Sequence, residues 1–478
     1  MKSIRTGISL LAMASLLSAC GGGGGAAPIS GGGTPPSPTP TSNTCSLRDR
    51  QDWAAGVLRE WYLFPETLPA SLDPTPFGSV SDYVDALTAT ARTQRRDRFF
   101  SFVTSITEEN AFLASGASAG FGVRLSFDAT ARRVTIAEAF EGAPALAAGI
   151  DRGTELLGIG TVGGTVRLVS DIIAAEGTAG VTNALGPSTA GLARVLRISN
   201  SGGTRDVTVT KANFDLVPVS ARYGAQVIND GGRQVAYINL RTFITSADNQ
   251  LRTAFSQFRA QGITNFIIDF RYNGGGLVST AELMGDLLGG ARSTSDVYSV
   301  TTFRPEKASN NDTKRFARPS QAVSPVRIAF IGTGSTASAS ELVIKSMAPY
   351  FGANLALVGA NTFGKPVGQI AIDRSACDDR FRVVAFSTQN SAGGGFYYDG
   401  LATTLANTCR AADDLTRPLG DPQEASVRQA LNFIAGQSCT PISSGGQASQ
   451  SAGAAAAVPQ LLTPLSPTVP QREVPGMF

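Results

Sequence analysis

Between residues 218 and 437, short apolar runs alternate with helix-spaced segments, and this alternation limits the fold more than any other feature of the chain. Runs at 235–240, 265–270, 327–331 and 355–358 have the length of strands, and two of them, at 265–270 and 327–331, read as buried. Segments 248–261, 277–288 and 339–350 carry the helical signal between them. Strand and helix in alternation predict an α/β layer structure. Residues 118–215 read differently, with strand-like runs at 122–127, 133–137, 156–159 and 205–211 among turns and short helices. Residues 46–115 look helical: Trp53, Val57, Leu58, Trp61 and Tyr62 recur at helix spacing, and a second helix is expected over 80–95. Nothing in that stretch suggests chemistry, so it reads as a packing subdomain. A length of 478 residues fits two or three domains.

The two ends of the chain have another character. Lys2 and Arg5 precede an apolar run over 8–17, far shorter than the ~20 residues that span a bilayer. The run ends in Leu17-Ser18-Ala19-Cys20, which resembles a bacterial lipobox; that resemblance implies a signal over 1–19 and lipidation of Cys20. Gly21 follows, which in a Gram-negative cell implies the outer membrane and a periplasm-facing lipoprotein. Residues 20–44 are rich in Gly, Pro, Ser and Thr and read as a tether, because such a composition buries too little apolar surface to offset its chain entropy. The stretch 439–478 reads the same way, as a low-complexity tail. Cys45, Cys377, Cys409 and Cys439 are an even set in an exported chain and suggest two disulfides. Three pairings exist; Cys377 with Cys409 and Cys45 with Cys439 is the preferred one, since the latter would staple the ends of the folded part.

Composition narrows the chemistry sharply. The chain has no histidine, so Ser-His-Asp and Cys-His machinery and His-containing zinc sites are excluded. A net charge of +3 does not suggest nucleic acid as a partner. Of 40 basic residues only six are lysines: Lys2, Lys211, Lys307, Lys314, Lys345 and Lys365. A proton acceptor working near neutral pH has few other sources here.

Three segments carry the candidate chemistry. Thr336-Ala337-Ser338-Ala339-Ser340-Glu341 sits where a strand passes into a helix. Ser338 and Glu341 fit a helix capping box, and the same position presents a nucleophile to a helix N-terminus. Lys365, in Asn361-Thr362-Phe363-Gly364-Lys365-Pro366-Val367-Gly368-Gln369, lies among apolar and glycine residues without an adjacent carboxylate. Burial there would have to lower its pKa from ~10.4 to about 7–8 for it to act as a base, about 4 kcal/mol at ~1.36 per unit. Lys345 lies two helical turns beyond Ser338 and is a poor partner. The third segment, Asp269-Phe270-Arg271-Tyr272-Asn273-Gly274-Gly275-Gly276, ends a buried strand in glycines whose N–H groups can face a carbonyl under attack.

Together these segments resemble the carboxy-terminal processing (tail-specific) proteases, the S41 serine peptidases. The resemblance spans 46–437 and includes the order helical segment, PDZ domain, catalytic core. The PDZ likeness rests on Gly142-Ala143-Pro144 and Ala148-Gly149-Ile150 leading to Gly153-Thr154-Glu155-Leu156, with Thr154 where Asp is usual. It implies a carboxylate-binding loop at Gly120, Phe121, Gly122 and Val123 and capture of a peptide by β-augmentation. The family resemblance implies a core of the ClpP/crotonase-like type, Ser338 as nucleophile, Lys365 as general base and Gln369 as the residue that positions it. It implies oxyanion donors at the backbone of Ala339 and of Gly275 or Gly276. Thr336, Gly274 and Pro366 stand where many members carry Ser, Pro and Gly.

The predicted organisation is therefore α/β multidomain: signal 1–19, tether 20–44, helical subdomain 45–117, PDZ domain 118–215, peptidase core 216–438, tail 439–478. The expected activity is that of a lipid-anchored serine endopeptidase with a Ser-Lys dyad, cutting proteins near their C-termini without metal or cofactor. Expected partners are protein or peptide tails, a membrane reached through the N-terminal lipid alone, and an adaptor or further copies of the chain. The alternative is a catalytically silent scaffold that binds tails or a partner protease.

Overall fold

The computed structural model describes residues 45–443, 460–465 and 467–478. The described residues form one unit. Cys20, with the signal and tether, lies outside the described residues.

The α/β layer is a six-stranded sheet in the order Ala225–Asp230, Arg233–Asn239, Asn265–Asp269, Arg327–Gly332, Leu355–Gly359, Thr408–Arg410. The first pair is antiparallel and every later pair is parallel. Apolar side chains cover both faces. Phe266, Ile268, Ile328 and Phe330 pack under the helices Thr245–Ala260, Val278–Leu288 and Ala339–Phe351. Ile267, Ala329, Ile331 and Val358 pack under Ala425–Ile434. That two-sided burial explains why the strands read as unbroken apolar runs.

Register then does the positioning. Asp269 pairs with Ile331, and Gly332 pairs with Gly359. Three neighbouring parallel strands therefore end side by side, and the three candidate segments leave their carboxyl ends. This is the edge at which open α/β sheets bind ligands.

A second sheet holds Phe102–Ser105, Asp379–Gln389, Val297–Phe303 and Asp312–Arg315, with Val367–Arg374 paired to Asp379–Gln389 as a hairpin. The helix Leu47–Trp61 packs on it through Ala54, Val57 and Leu58 against Phe381 and Val383. The expected helix over 80–95 is two pieces, Val80–Leu87 and Ala89–Thr93. Thr88 interrupts it, with its hydroxyl bonded back to the Val84 carbonyl at 3.0 Å.

The region 117–215 forms most of a seven-stranded sheet around Val123–Asp128, Arg133–Ala139, Glu155–Gly160, Ala193–Asn200 and Gly203–Thr210. Its edge strand comes from elsewhere: Gln460–Leu461 pairs antiparallel with Val123–Asp128. The expectation of an unfolded tail over 439–478 therefore fails for 460–465 and 467–478. Val469, Val474, Met477 and Phe478 are buried, and apolar burial of that kind offsets the entropy the local composition suggested would win.

The disulfides are Cys45–Cys377 and Cys409–Cys439, which corrects the preferred pairing. The reason is the docking of the first helix. Arg50 holds Asp379 at 2.5 Å and Arg374 donates to the Asp49 carbonyl at 2.9 Å, so Cys45 arrives at the Ser375–Cys377 turn. Cys439 runs beside the edge strand that carries Cys409, where Arg410 N–H donates to the Thr440 carbonyl at 2.7 Å.

Candidate active site

The loop after Arg327–Gly332 is held from both sides. Thr336 Oγ1 donates to the Phe270 carbonyl at 2.8 Å and accepts the Thr333 N–H at 2.9 Å. The Ala337 N–H and the Ser340 hydroxyl both donate to the Asn273 carbonyl, at 3.0 and 3.2 Å. Ser338, clamped between, has φ 54°, ψ −114°, a conformation non-glycine residues seldom adopt. Strain of that sort costs on the order of 1–3 kcal/mol and persists where surrounding structure over-determines it. The helix Ala339–Phe351 begins immediately after it.

Glu341 ties the two candidate catalytic residues together. Its carboxylate is fully buried; Oε2 accepts the Ser338 N–H at 3.0 Å and the Lys365 N–H at 2.8 Å, and Oε1 accepts the Gly364 N–H at 2.7 Å. One oxygen thus joins residues that are 27 positions apart in the chain. Burial raises the Glu341 pKa, opposed by these hydrogen bonds. Sequence reading assigned Glu341 a capping role; the carboxylate does meet the Ser338 N–H as in a capping box, and it also fixes the lysine loop. The Phe363 N–H adds a bond to the Thr336 carbonyl at 2.9 Å.

Lys365 Nζ donates to Gln369 Oε1 at 2.9 Å, and Gln369 Nε2 donates to the Phe100 carbonyl. The Phe100 ring lies 5.1 Å from Nζ. Desolvation lowers the Lys365 pKa below the ordinary lysine value, opposed chiefly by Glu473 and then Asp97. The amine is thereby moved toward the neutral form that a general base requires. Arg98 Nη2 clamps the same loop by donating to the carbonyls of Phe363 and Gly364, at 2.8 and 2.5 Å. Arg98 and Phe100 belong to the subdomain expected only to pack; that expectation is corrected. No pattern in 46–115 signals this, because the contacts run through a backbone carbonyl, an aromatic ring and an arginine that donates to carbonyls. Lys345 sits apart, its stem against Gly394.

The glycine turn completes the arrangement. Asn273 Nδ2 donates to the Leu240 carbonyl at 2.8 Å, and its Oδ1 accepts the Gly275 N–H at 2.9 Å. Gly275 has φ 124°, and a Cβ there would lie 2.8 Å from Ser338 Cβ and 3.3 Å from the Ala339 nitrogen. Gly275 and Ala339 therefore flank Ser338 as expected, although the Gly275 N–H is engaged by Asn273. Gly276 packs against the Phe243 backbone. The N–H that faces a peptide carbonyl is that of Gly274, which donates to Glu473 O at 3.2 Å.

The predicted peptide loop is also in contact with the chain's own end. The Gly122 and Val123 N–H groups donate to Phe478 O at 2.9 and 3.1 Å. A Cβ on Gly120 would sit 2.7 Å from the Phe478 carbonyl carbon. Phe121 is buried beneath, its carbonyl accepting the Ala145 N–H at 2.9 Å.

Buried ion networks join this region to the α/β layer. Glu138 bonds Arg241 at 2.7 Å and Arg124 at 3.2 Å. Burial alone would raise the Glu138 carboxyl, but Arg241, Arg124 and Tyr223 outweigh it and hold it at about 2. Arg152 meets Asp413 at 2.8 Å, and Asp413 meets Arg271 at 3.0 Å, beside the glycine turn. Among the described residues no cluster of His, Cys, Asp and Glu suits a metal ion.

Residues 234–394 match the model of peptidase family S41. A carboxyl-terminal-processing protease of Synechocystis sp. is 25% identical over 263 residues, covering 55% of this chain and 56% of that protein. A chloroplastic C-terminal processing peptidase of Tetradesmus obliquus is 25% identical over 277 residues, covering 55% and 54%. The chain spans about half the length of these curated relatives. Among solved structures, a chain ascribed to the S41 proteases, from Bacteroides fragilis NCTC 9343, aligns with TM-score 0.62 at 21% identity, over 80% of this chain and 97% of its own. That likeness is one of fold.

Proposed function

From the match of residues 234–394 to peptidase family S41, we propose that the chain is a serine endopeptidase of that family whose nucleophile is Ser338 and whose general base is Lys365. The observation that carries this reading is the single Glu341 oxygen that accepts both the Ser338 and the Lys365 N–H. It fixes the two backbones against each other, while Gln369 aims the amine. Neutral Lys365 takes the Ser338 hydroxyl proton, and the alkoxide attacks a peptide carbonyl. The Ala339 N–H and the glycine turn hold the oxyanion. The protonated amine returns its proton to the leaving nitrogen, and water resolves the acyl-enzyme.

The region 118–215 serves in this reading as a PDZ domain that receives the tail of a substrate protein, so cleavage falls near C-termini. Lipidation of Cys20 anchors the enzyme on the envelope, facing the periplasm; a Cys20→Ala protein should then lose its membrane fraction. The test of the dyad is labelling of purified protein with a serine-reactive fluorophosphonate. Wild type should label, and Ser338→Ala should not. A chain that binds tail peptides yet stays unlabelled, both as wild type and with its 460–478 segment displaced by Gly476→Trp, would be a silent scaffold.

A further inference from the structure

The segment 460–478 occupies both halves of the proposed substrate path. Gln460–Leu461 takes one end of the edge of Val123–Asp128, and Met477 bridges to Arg124 at the other. The Leu125 N–H donates to Gly476 O at 2.8 Å and the Phe478 N–H to Val123 O at 2.9 Å, while Gly122 and Val123 hold Phe478 O. The Phe478 side chain is buried in the cluster of Phe121, Leu125 and Ile150. This is β-augmentation by a segment of the same chain.

A few residues upstream, the same segment reaches the catalytic turn. Arg124 Nη1 donates to Pro475 O at 2.6 Å and to Tyr272 O at 3.0 Å, joining groove, tail and turn. Glu473 O accepts the Gly274 N–H. A Cβ on Gly274 would lie 3.0 Å from the carbonyl oxygens of both Arg472 and Glu473, so the tail lies against the turn at glycine distance. Of the charged groups acting on Lys365, Glu473 acts most strongly, and it favours the protonated amine.

The form of the segment distinguishes a plug from a substrate. A peptide under attack lies extended, with its carbonyl free to enter the oxyanion site. Residues Val469–Glu473 are instead helical, capped through Thr468 and Gln471. The Thr468 and Pro470 carbonyls accept the Arg472 and Val474 N–H groups at 3.0 and 2.8 Å, and Gln471 Nε2 donates to Met477 O at 2.8 Å. The Thr468 and Pro470 carbonyls of the segment are thus already committed to hydrogen bonds of its own.

We propose that residues 460–478 are an intramolecular inhibitor that closes the groove and the catalytic turn together. It yields to a substrate tail of the same chemistry: an aromatic side chain at the Gly122–Val123 position and a small residue two places before it. Glycine is required at that second place, because Gly476 has φ 82° and a Cβ would meet Arg124 Cγ at 3.0 Å and Leu125 O at 3.1 Å. Tethering raises the local concentration of the plug to the millimolar range, so a weak contact suffices. The proposal rests on the peptidase reading for its consequence, though not for its geometry.

The test uses Gly476→Trp in the full chain, with Phe478→Asp as a second variant that disturbs the groove contact alone. A fluorescent peptide of sequence 468–478 should bind Ser338→Ala carrying either change at least about tenfold more tightly than Ser338→Ala alone. In the active background, each change should raise kcat/KM on a short peptide by about tenfold or more. In wild type, hydrogen exchange should find the Gly122, Val123 and Leu125 amides protected. Fast exchange there overturns the proposal whether or not the variants fold, as does equal peptide binding in all three proteins. Tighter binding without turnover in any protein would uphold the plug and overturn the peptidase reading. Turnover unchanged by both variants, with equal binding, would do the reverse.

Discussion

Two glycine turns of this molecule perform one task by different means. The Gly120–Val123 loop offers two N–H groups to a single carbonyl oxygen, and the space it needs is local: a Cβ on Gly122 would fall 1.9 Å from Ala143 Cβ. The Gly274–Gly276 turn offers one N–H to a carbonyl, and the space it needs belongs to distant segments: Ser338 for Gly275 and Phe243 for Gly276. The first turn is complete within its own region. The second exists as a site only after three parallel strands have been laid side by side. On the proposed reading, recognition is a property of a loop, and chemistry a property of a sheet edge.

The largest effects should come from the sheet edge. Ser338→Ala and Lys365→Ala should each lower cleavage of an unfolded tail-bearing protein by about 10³-fold or more, with unchanged circular dichroism. Full activity in Lys365→Ala would remove the dyad. Next, Gly275→Ala should cost roughly 10²-fold in kcat, because its Cβ would lie 2.8 Å from Ser338 Cβ and push the hydroxyl out of place, while tail-peptide affinity stays near wild type. Gly122→Ala should do the opposite, losing the peptide and, by releasing the 460–478 plug, raising turnover of short substrates. If both variants lost the same function, the division between the turns would be false.

Gln369→Met should cost about tenfold, because the amine keeps its place in the chain but loses its aim. The pH profile sharpens the same point. The rate should rise as Lys365 loses its proton and level off below the ordinary lysine value of 10.5, since burial lowers that pKa. Between the folded and unfolded values, the unfolded chain holds a proton the folded one has released, so stability also rises with pH there.

An effect on stability alone separates the regions electrostatically. Glu138, at about 2 when folded against 4.5 otherwise, contributes stability that is complete above 4.5 and lost as pH falls towards 2. At ~1.36 kcal/mol per unit this is about 3 kcal/mol. Acid titration followed by fluorescence should therefore loosen the 118–215 region in that window.

Much of the α/β layer was legible because burial on both faces leaves an unmistakable text. The strands near 235, 265, 327 and 355 and the helices between them lie within a few residues of their expected places. Lys365 stood out because the chain has six lysines and no histidine, and the roles of Ser338 and Gln369 came from the family resemblance of their segments. What joins them could not. Glu341 looks like any helix cap until the Lys365 loop closes on it, and Asn273 is one more polar residue until it bonds the Leu240 carbonyl and the Gly275 amide. The cysteines were mispaired because pairing follows where a helix docks, which no spacing reveals. The tail was misjudged because its composition was averaged: the apolar Val474, Met477 and Phe478 stand beyond the low-complexity run and find a pocket in sequence-distant residues.

The Cys45–Cys377 bond spans 332 residues. A ribosome makes Cys45 before any strand of either sheet, and its thiol must wait until nearly four-fifths of the polypeptide exists. By then Ser338 and Lys365 have both been made. A molecule that carries this bond is thus one that has already received all three candidate segments, and a chain interrupted earlier is left with a free thiol that marks it as unfinished.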